Sequence, residues 1–334
     1  MSSEERYLLR YPVYIPSKGR SDVCLTAQCL IKDGVPFRIV VEEPEREKYA
    51  AKFGEDQILV LPFRNRGSVI PARNWIKDHA TAEGHERHWQ LDDNIAEFYR
   101  VYGGERFYCD AGIALRVVED FSDRYENVAI SGMTYTMFAF RMGTPMPPFY
   151  LNVHVYSCSL ILNKIPHRWR GRYNEDSDIC LQVLADGWCT VLINAFSANK
   201  MQTMKIKGGN TADLYQGDGR LKMARSLERL WPGVVSVGRR FKRPQHVVLD
   251  NWRRFDTPLK LKAGLSLEEL KAQGTNEYNL RLVMKKENIK SKQVKELYDR
   301  FNSGQASPQH KDGRRKNAER GKRREKVRPK LGER

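Results

Sequence analysis

The first third of the chain alternates short apolar runs with amphipathic stretches. Residues 11–17 (YPVYIPS), 36–43 (PFRIVVEE), 57–63 (QILVLPF) and 88–93 (HWQLDD) read as strands: each is short, largely apolar, and followed by polar or turn-forming residues. Between them, residues 21–33, 45–54 and 69–84 place apolar side chains at helical spacing, and the first two helices stop at Gly34 and Gly54. Strands separated by helices predict βαβ units and a mostly parallel sheet. The polar residues collect where the strands end: Ser17-Lys18-Gly19-Arg20, Glu42-Glu43, Arg64-Asn65-Arg66 and Asp92-Asp93-Asn94. In an open α/β sheet, ligands bind outside the carboxyl ends of the strands, so these four clusters are expected along one edge.

Further along, residues 127–135 (NVAISGMTY) and 155–163 (VYSCSLILN) have strand character on either side of a Pro/Met-rich stretch at 141–150. Residues 175–187 (EDSDICLQVLADG) carry apolar positions at 179, 180, 183 and 184, a helix ended by Gly187, and the next strand is WCTVLINAFS. A Gly-rich loop between about 200 and 220, a helix in LKMARSLERLWPG and a short strand at 245–252 follow. Residues 264–301 read as charged helices. The expected organisation is therefore an α/β domain over 1–255, a helical appended region over 256–303 and a basic tail over 304–334.

Charge adds a partner to this picture. The formal net charge is +17, and twelve Lys/Arg against four Asp/Glu between Gly304 and Arg334 place +8 of it in the tail. That segment has almost no apolar residues and no periodicity, so it is expected to stay unfolded until it meets a polyanion, with Arg314, Arg315, Lys322, Arg323 and Arg324 as phosphate-binding candidates. The six cysteines show no CxxC spacing and sit mostly in apolar surroundings, which predicts buried thiols. The opening MSSEERYLLR has no apolar core of a signal peptide, and no run of about 18 apolar residues occurs, so a location in the cytoplasm without membrane contact is expected.

Several clusters can carry chemistry. Asp92 and Asp93 put two like charges side by side after an apolar strand, an arrangement that water, a cation or a donor must offset. A hard divalent ion, Mg²⁺ or Mn²⁺, suits such carboxylates, and Asp-Asp-Asn also suits a turn or a helix N-cap. Glu175 and Asp176 open a helix, where acids favour the macrodipole, and a carboxylate there can also accept a proton from a hydroxyl. Ser17-Lys18-Gly19-Arg20 lies between a strand and a helix, where amides and cations converge on an anion-sized site, although neither a Walker loop nor GxGxxG is present. Arg73, the KIKGGN stretch with Gly208 and Gly209, and His246 as a late metal ligand complete the candidates.

Taken in order, VYIPSKGR, the ARNWI helix, WQLDDNI, NVHVYSCSLILN, WRGRYNEDSDICLQVLADGWCTVL and the KGGN loop resemble the TET-associated glycosyltransferases, over about residues 10–255. The resemblance implies a GT-A-like nucleotide-sugar fold. It also implies transfer of a sugar from a nucleotide donor, such as a UDP-sugar, to 5-hydroxymethylcytosine in DNA, with inversion. It places a divalent metal on Asp93, with Asp92 on the metal or the donor ribose; His246 is added to that set from its position in the sequence and not from the resemblance. Asp176, beside Glu175, would be the base. Ser17, Lys18, Gly19, Arg20 and Asp92 would hold the donor, and Arg73, Gly208 and Gly209 are further donor candidates read from the residues themselves. A bacteriophage origin would put the enzyme in the host cytoplasm. Glycosyl transfer to protein or polysaccharide, or a non-catalytic DNA-binding protein on a degenerate nucleotide-sugar fold, are the competing expectations.

Overall fold

The structure is a computed structural model and describes residues 9–65, 67–102, 105–139, 146–201, 218–240 and 243–266. The chain divides into two units, Met1–Met284 and Lys285–Arg334, and the described residues all belong to the first. The segments expected to carry Gly208 and Gly209, the basic tail and nearly all of the appended helices lie outside the described residues.

The first four strands are β1 (Val13–Pro16), β2 (Arg38–Glu42), β3 (Ile58–Leu61) and β4 (Arg87–Leu91), with helices α1 (Leu25–Lys32), α2 (Arg46–Phe53) and α3 (Ile70–Ala82) between them. These match the βαβ pattern read from hydrophobicity. After β4 come the hairpin strands β5 (Ile95–Tyr102) and β6 (Glu105–Cys109), helix α4 (Ala111–Ser122), β7 (Val128–Tyr135), the short helix α5 (Thr136–Ala139), β8 (Phe149–Leu151) and β9 (Cys158–Leu162). Helix α6 (Glu175–Ala185), the long strand β10 (Cys189–Lys200), helix α7 (Gly219–Leu230) and the strands β11 (Val235–Arg240) and β12 (Arg243–Val248) complete the set.

Ten strands form one sheet in the order β3-β2-β1-β4-β9-β7-β10-β5-β6, with β8 paired to β10, and β11 and β12 form a separate hairpin. Seven strands of the sheet point the same way, while β5, β8 and β9 run against them. The sheet is thus mostly parallel, in an α/β fold. Its first four strands in space, β3-β2-β1-β4, are parallel, so their carboxyl ends and the loops that follow share one edge.

Helices cover both faces, which is why β4 is buried along its whole length. Trp89 and Leu91 join Ile15, Leu30 and Val118 in the main core on one face, while Tyr14, Val40, Leu61 and Ile76 pack on the other. A third cluster forms around α6 from Ile161, Leu181 and Leu184. The six cysteines are all buried and unpaired. Gly132 lets β7 approach β9 closely, since a Cβ there would lie 2.1 Å from the Cys158 carbonyl oxygen.

The folded unit continues past residue 255. Lys260 and Lys262 exchange backbone hydrogen bonds with Glu126 and Arg124, and the Asn127 side chain bonds Pro258 and Lys260. Residues 257–262 therefore strap the start of β7, a role invisible in their composition.

Candidate active site

At the sheet edge the four predicted strand-end clusters come together. Ser17 Oγ, after β1, donates to Asp93 Oδ2 at 2.7 Å, and the Arg20 guanidinium reaches Asp93 Oδ1 at 2.5 Å. Lys18 pairs with Glu42 at the end of β2 at 3.2 Å, and the Asn65 amide, in the loop after β3, donates to that same Glu42 oxygen at 3.0 Å. Gly19, at φ +63°, turns its amide onto Glu45 Oε1 at 2.6 Å. The amide and the two cations of this loop are thus already partnered within the protein, and Lys18 is the one open to solvent.

The two adjacent aspartates part company. Both lie past the end of β4, Asp93 already in a turn, and Asp92 faces away from Asp93 toward α3 and β10. Its Oδ1 accepts from the Arg73 guanidinium at 2.9 Å and its Oδ2 from the Lys200 ammonium at 2.7 Å. The Asp92 side chain keeps 23% of its surface exposed, against 7% for Asp93. Burial works to raise the Asp92 carboxyl, but Lys200 and Arg73 override it and hold the group well below the usual carboxylate range. The more enclosed Asp93 is raised by burial, which Arg20 and Ser17 only partly oppose.

Arg73, nearly buried, is the hub. Besides Asp92 it reaches Gln90 Oε1 at 3.2 Å, Asp176 Oδ1 at 3.7 Å and Glu175 Oε1 at 3.8 Å. Three carboxylates therefore face one guanidinium, and their charge favours its protonated form against the cost of burial. Glu175 and Asp176 form the first turn of α6 behind Asn174, which takes a left-handed conformation at φ 56°. Burial pushes the Asp176 carboxyl up to about 7. Arg73 opposes that rise, while Glu175 and Asp92 add to it. A carboxyl titrating there is matched to accepting a proton near neutral pH.

Lys200 ends β10 and has a second set of partners: Ser157 Oγ at 2.6 Å and the Tyr135 hydroxyl at 3.3 Å. Ser157 sits at φ 62°, an uncommon backbone for a non-glycine residue, and its carbonyl accepts from the Asp92 amide at 2.7 Å. Nothing in the sequence pattern marks Lys200, Tyr135 or Ser157. They come from three separate segments, and the sheet order β9-β7-β10 is what unites them.

The predicted metal set is not brought together. Asp93 is committed to Ser17 and Arg20, and His246 on β12 lies 3.3 Å from Ser177 Oγ. Among the described residues no group of three or more His, Cys, Asp or Glu side chains is placed to hold an ion. Mg²⁺ and Mn²⁺ need less than this where a substrate phosphate supplies the remaining oxygens. Of the pair, Asp92 is the less enclosed, with one oxygen on Arg73 and the other on Lys200, and Asp93 is the more buried.

Acids and cations gather at the carboxyl edge of a mostly parallel sheet, with Asp92, Glu175 and Asp176 each partly exposed around Arg73, the edge at which open α/β proteins hold their ligands. Residues 11–209 match the family profile described as TET-Associated Glycosyltransferase. The chain belongs to that family, and it is a glycosyltransferase: it takes a sugar from a nucleotide-sugar donor and passes it to an acceptor. Among solved structures it is similar to mannose-1-phosphate geranyltransferase from Thermus thermophilus, with 13% identity, 75% of this chain and 72% of that chain covered, and a TM-score of 0.26. No curated protein matches the chain. No helix among the described residues is long and apolar enough to cross a membrane.

Proposed function

We propose that the enzyme transfers a sugar from a nucleotide-sugar donor, a UDP-sugar being the first to test, to the hydroxymethyl group of 5-hydroxymethylcytosine in DNA, on a GT-A-like fold. One observation carries this reading. The Arg73 guanidinium lies 2.9 Å from Asp92, at the strand end where a donor diphosphate would sit, and 3.7 Å from Asp176, the acid at the start of α6. A donor-side carboxylate and a base thus flank a single buried cation, close enough to act on the two ends of one displacement.

In this mechanism Asp176 accepts the proton of the acceptor hydroxyl as its oxygen attacks the anomeric carbon, and the nucleoside diphosphate leaves from the opposite side with inversion. Glu175 sets the charge around Asp176, and Arg73 holds both acids in place. Asp92 is the residue that would hold a divalent metal, which when bound would offset the charge growing on the leaving diphosphate. Lys200, fixed by Asp92 and Ser157, places a second positive charge beside the same spot. Ser17 and Arg20 set the floor of the donor site through Asp93, and Lys18 is the cation of that loop open to the donor. Gly208 and Gly209, outside the described residues, are proposed for the donor as well. The tail cations Arg314, Arg315, Lys322, Arg323 and Arg324 are proposed as a phosphate-binding arm.

The test is direct. Hydroxymethylated, methylated and unmodified DNA are each incubated with a panel of nucleotide sugars, then digested, and the nucleosides are weighed. A mass gain of one sugar on hydroxymethylcytidine alone is the expected result. Transfer only to a protein or polysaccharide acceptor would overturn the DNA assignment.

A further inference from the structure

The charge of this protein is not spread over its surface. Residues 218–254 contain ten Lys/Arg against three Asp/Glu, a surplus of +7, and residues 304–334 carry +8, so these two segments hold +15 of the total +17. Everything else, the donor-side sheet edge included, sums to +2. A polyanion approaching the folded unit is therefore drawn to one place.

That place has a definite shape. On α7, Lys222, Arg225 and Arg229 are exposed while Ala224 and Leu227 are buried. Spacings of three and four residues set the cations in one stripe, opposite the face that packs inward. Arg239 and Arg243, toward the turn end of the β11–β12 hairpin, are exposed as well. Lys222 makes an exposed pair with Asp218 at 2.9 Å, which contributes little, and no ion pair among the described residues occupies Arg225, Arg229, Arg239 or Arg243.

A run of charges on a helix is commonly just a solvated face. Here a second observation ties the run to the chemistry: α7 and the hairpin are fastened to the first turn of α6, where Asp176 lies. The Asn174 side-chain amide donates to the Met223 carbonyl at 2.6 Å, the Trp231 indole N–H donates to Asp178 Oδ1 at 2.7 Å, and His246 meets Ser177 at 3.3 Å. The polar tethers enter α6 on both sides of Asp176, so whatever binds the cationic stripe is held beside the base.

We infer that α7 and the β11–β12 hairpin are the docking surface for the sugar–phosphate backbone of duplex DNA, and that they seat the acceptor strand across the start of α6. The choice of DNA among polyanions rests on the function proposed above; the surface itself rests on the charge and the tethers. From Lys222 to Arg229 the helix rises about 10 Å, the axial span of about three phosphate-to-phosphate steps on one strand of a duplex.

The experiment measures binding of the full chain to a short unmodified duplex, without donor, over a series of salt concentrations. It compares the wild type with the quadruple variant R225Q/R229Q/R239Q/R243Q. The expected result is weaker binding at every salt concentration, with the slope of log K against log salt falling by about 0.9 for each phosphate no longer neutralised. An unchanged affinity and slope in a variant with wild-type thermal unfolding would overturn the surface. If the variant does not fold, the wild type decides: duplex DNA shields Lys222 from amine acetylation if the inference holds, and leaves it as reactive as before if it fails. A loss of DNA binding in a protein that glycosylates no DNA would keep the surface and sink the proposed activity. Unchanged binding in a protein that does glycosylate hydroxymethylated DNA would do the reverse.

Discussion

Two carboxylate clusters are built on strand β4, and they are handled in opposite ways. Toward one face, Glu119 of α4 is fully buried beside Trp89. It accepts the Trp89 indole N–H at 2.9 Å and the Arg10 backbone N–H at 2.9 Å. Its partners are neutral donors, and burial pushes it up to about 7. Past the end of the same strand, Asp92 stays partly open and meets two cations directly, which hold it ionised. Burial favours the protonated form of the core acid, and its two N–H donors and the nearby Arg116 and Arg10 only partly oppose it. An acid flanked by cations at the sheet edge stays charged and available. Glu119 meets β4 at Trp89, three residues before Asp92, and the two acids stand on different elements, so what packs around each sets its charge.

The sharpest way to separate the site from the core is to neutralise one acid in each. Asp176→Asn removes the proposed base and should lower turnover by about 10²- to 10⁴-fold with donor affinity little changed, whereas Glu119→Gln should leave turnover near wild type. Steady-state kinetics with separate measurement of donor binding checks both. Equal losses in the two variants would remove Asp176 from the chemistry. Product analysis sharpens the assignment further, because an α-linked donor should give a β-linked product, and a retained linkage excludes Asp176 as the base of a single displacement.

Asp92 and Asp93 supply the next comparison. Asp92→Asn should reduce transfer by about 10²-fold or more while the fold survives, and chelation should inhibit the wild type. Asp93→Asn should act mainly on stability, since it removes the negative charge that the Arg20 guanidinium and the Ser17 hydroxyl donate to, at a cost of about 1–3 kcal/mol. Thermal unfolding and initial rates on both variants distinguish the two roles. Asp93→Asn with wild-type stability and no transfer would return the metal to Asp93.

The smallest effect is a pH dependence of stability. The Glu119 carboxyl is raised from its usual value near 4.5 to about 7, so the folded state holds its proton more tightly than the unfolded chain does. The resulting stabilisation is complete below about pH 4.5 and is lost as pH rises through about 7. The loss is on the order of 3 kcal/mol for a fully buried group with this shift. Glu119→Gln mimics the protonated acid, so its denaturant midpoint should match the wild type near pH 5 and exceed it near pH 8. Parallel midpoints at both pH values would show that Glu119 is ionised in the fold.

Hydrophobic periodicity alone located the first four strands and three helices to within a few residues, along with β7, β9, β10, α6 and α7, because burial on two faces imposes long apolar runs and helical spacing. The β5–β6 hairpin and α4 were missed. In IAEFYRVY the mixed burial of an antiparallel strand leaves no clean run, and the strand β11 ends in arginines that carry no strand signal. Strand-end polarity likewise marked Ser17, Lys18, Arg20, Asp92 and Asp93, since polar residues ending apolar runs must either meet solvent or find partners, while Asp176 was marked as an acid opening a helix.

What the sequence could not decide is which of these residues face one another. The turn that follows β4 sends Asp92 and Asp93 apart, so a motif that reads as one metal-binding pair becomes a partly open carboxylate between two cations and a buried anchor. Arg73, nineteen residues before Asp92, becomes the hub of the site only because α3 and α6 converge on the end of β4. Lys200, 108 residues after Asp92, arrives beside it because the sheet places β10 two strands from β9 and three from β4. Local chemistry is written in residue type and spacing. Pairing between segments is settled by strand order and side-chain direction, which only the assembled sheet fixes.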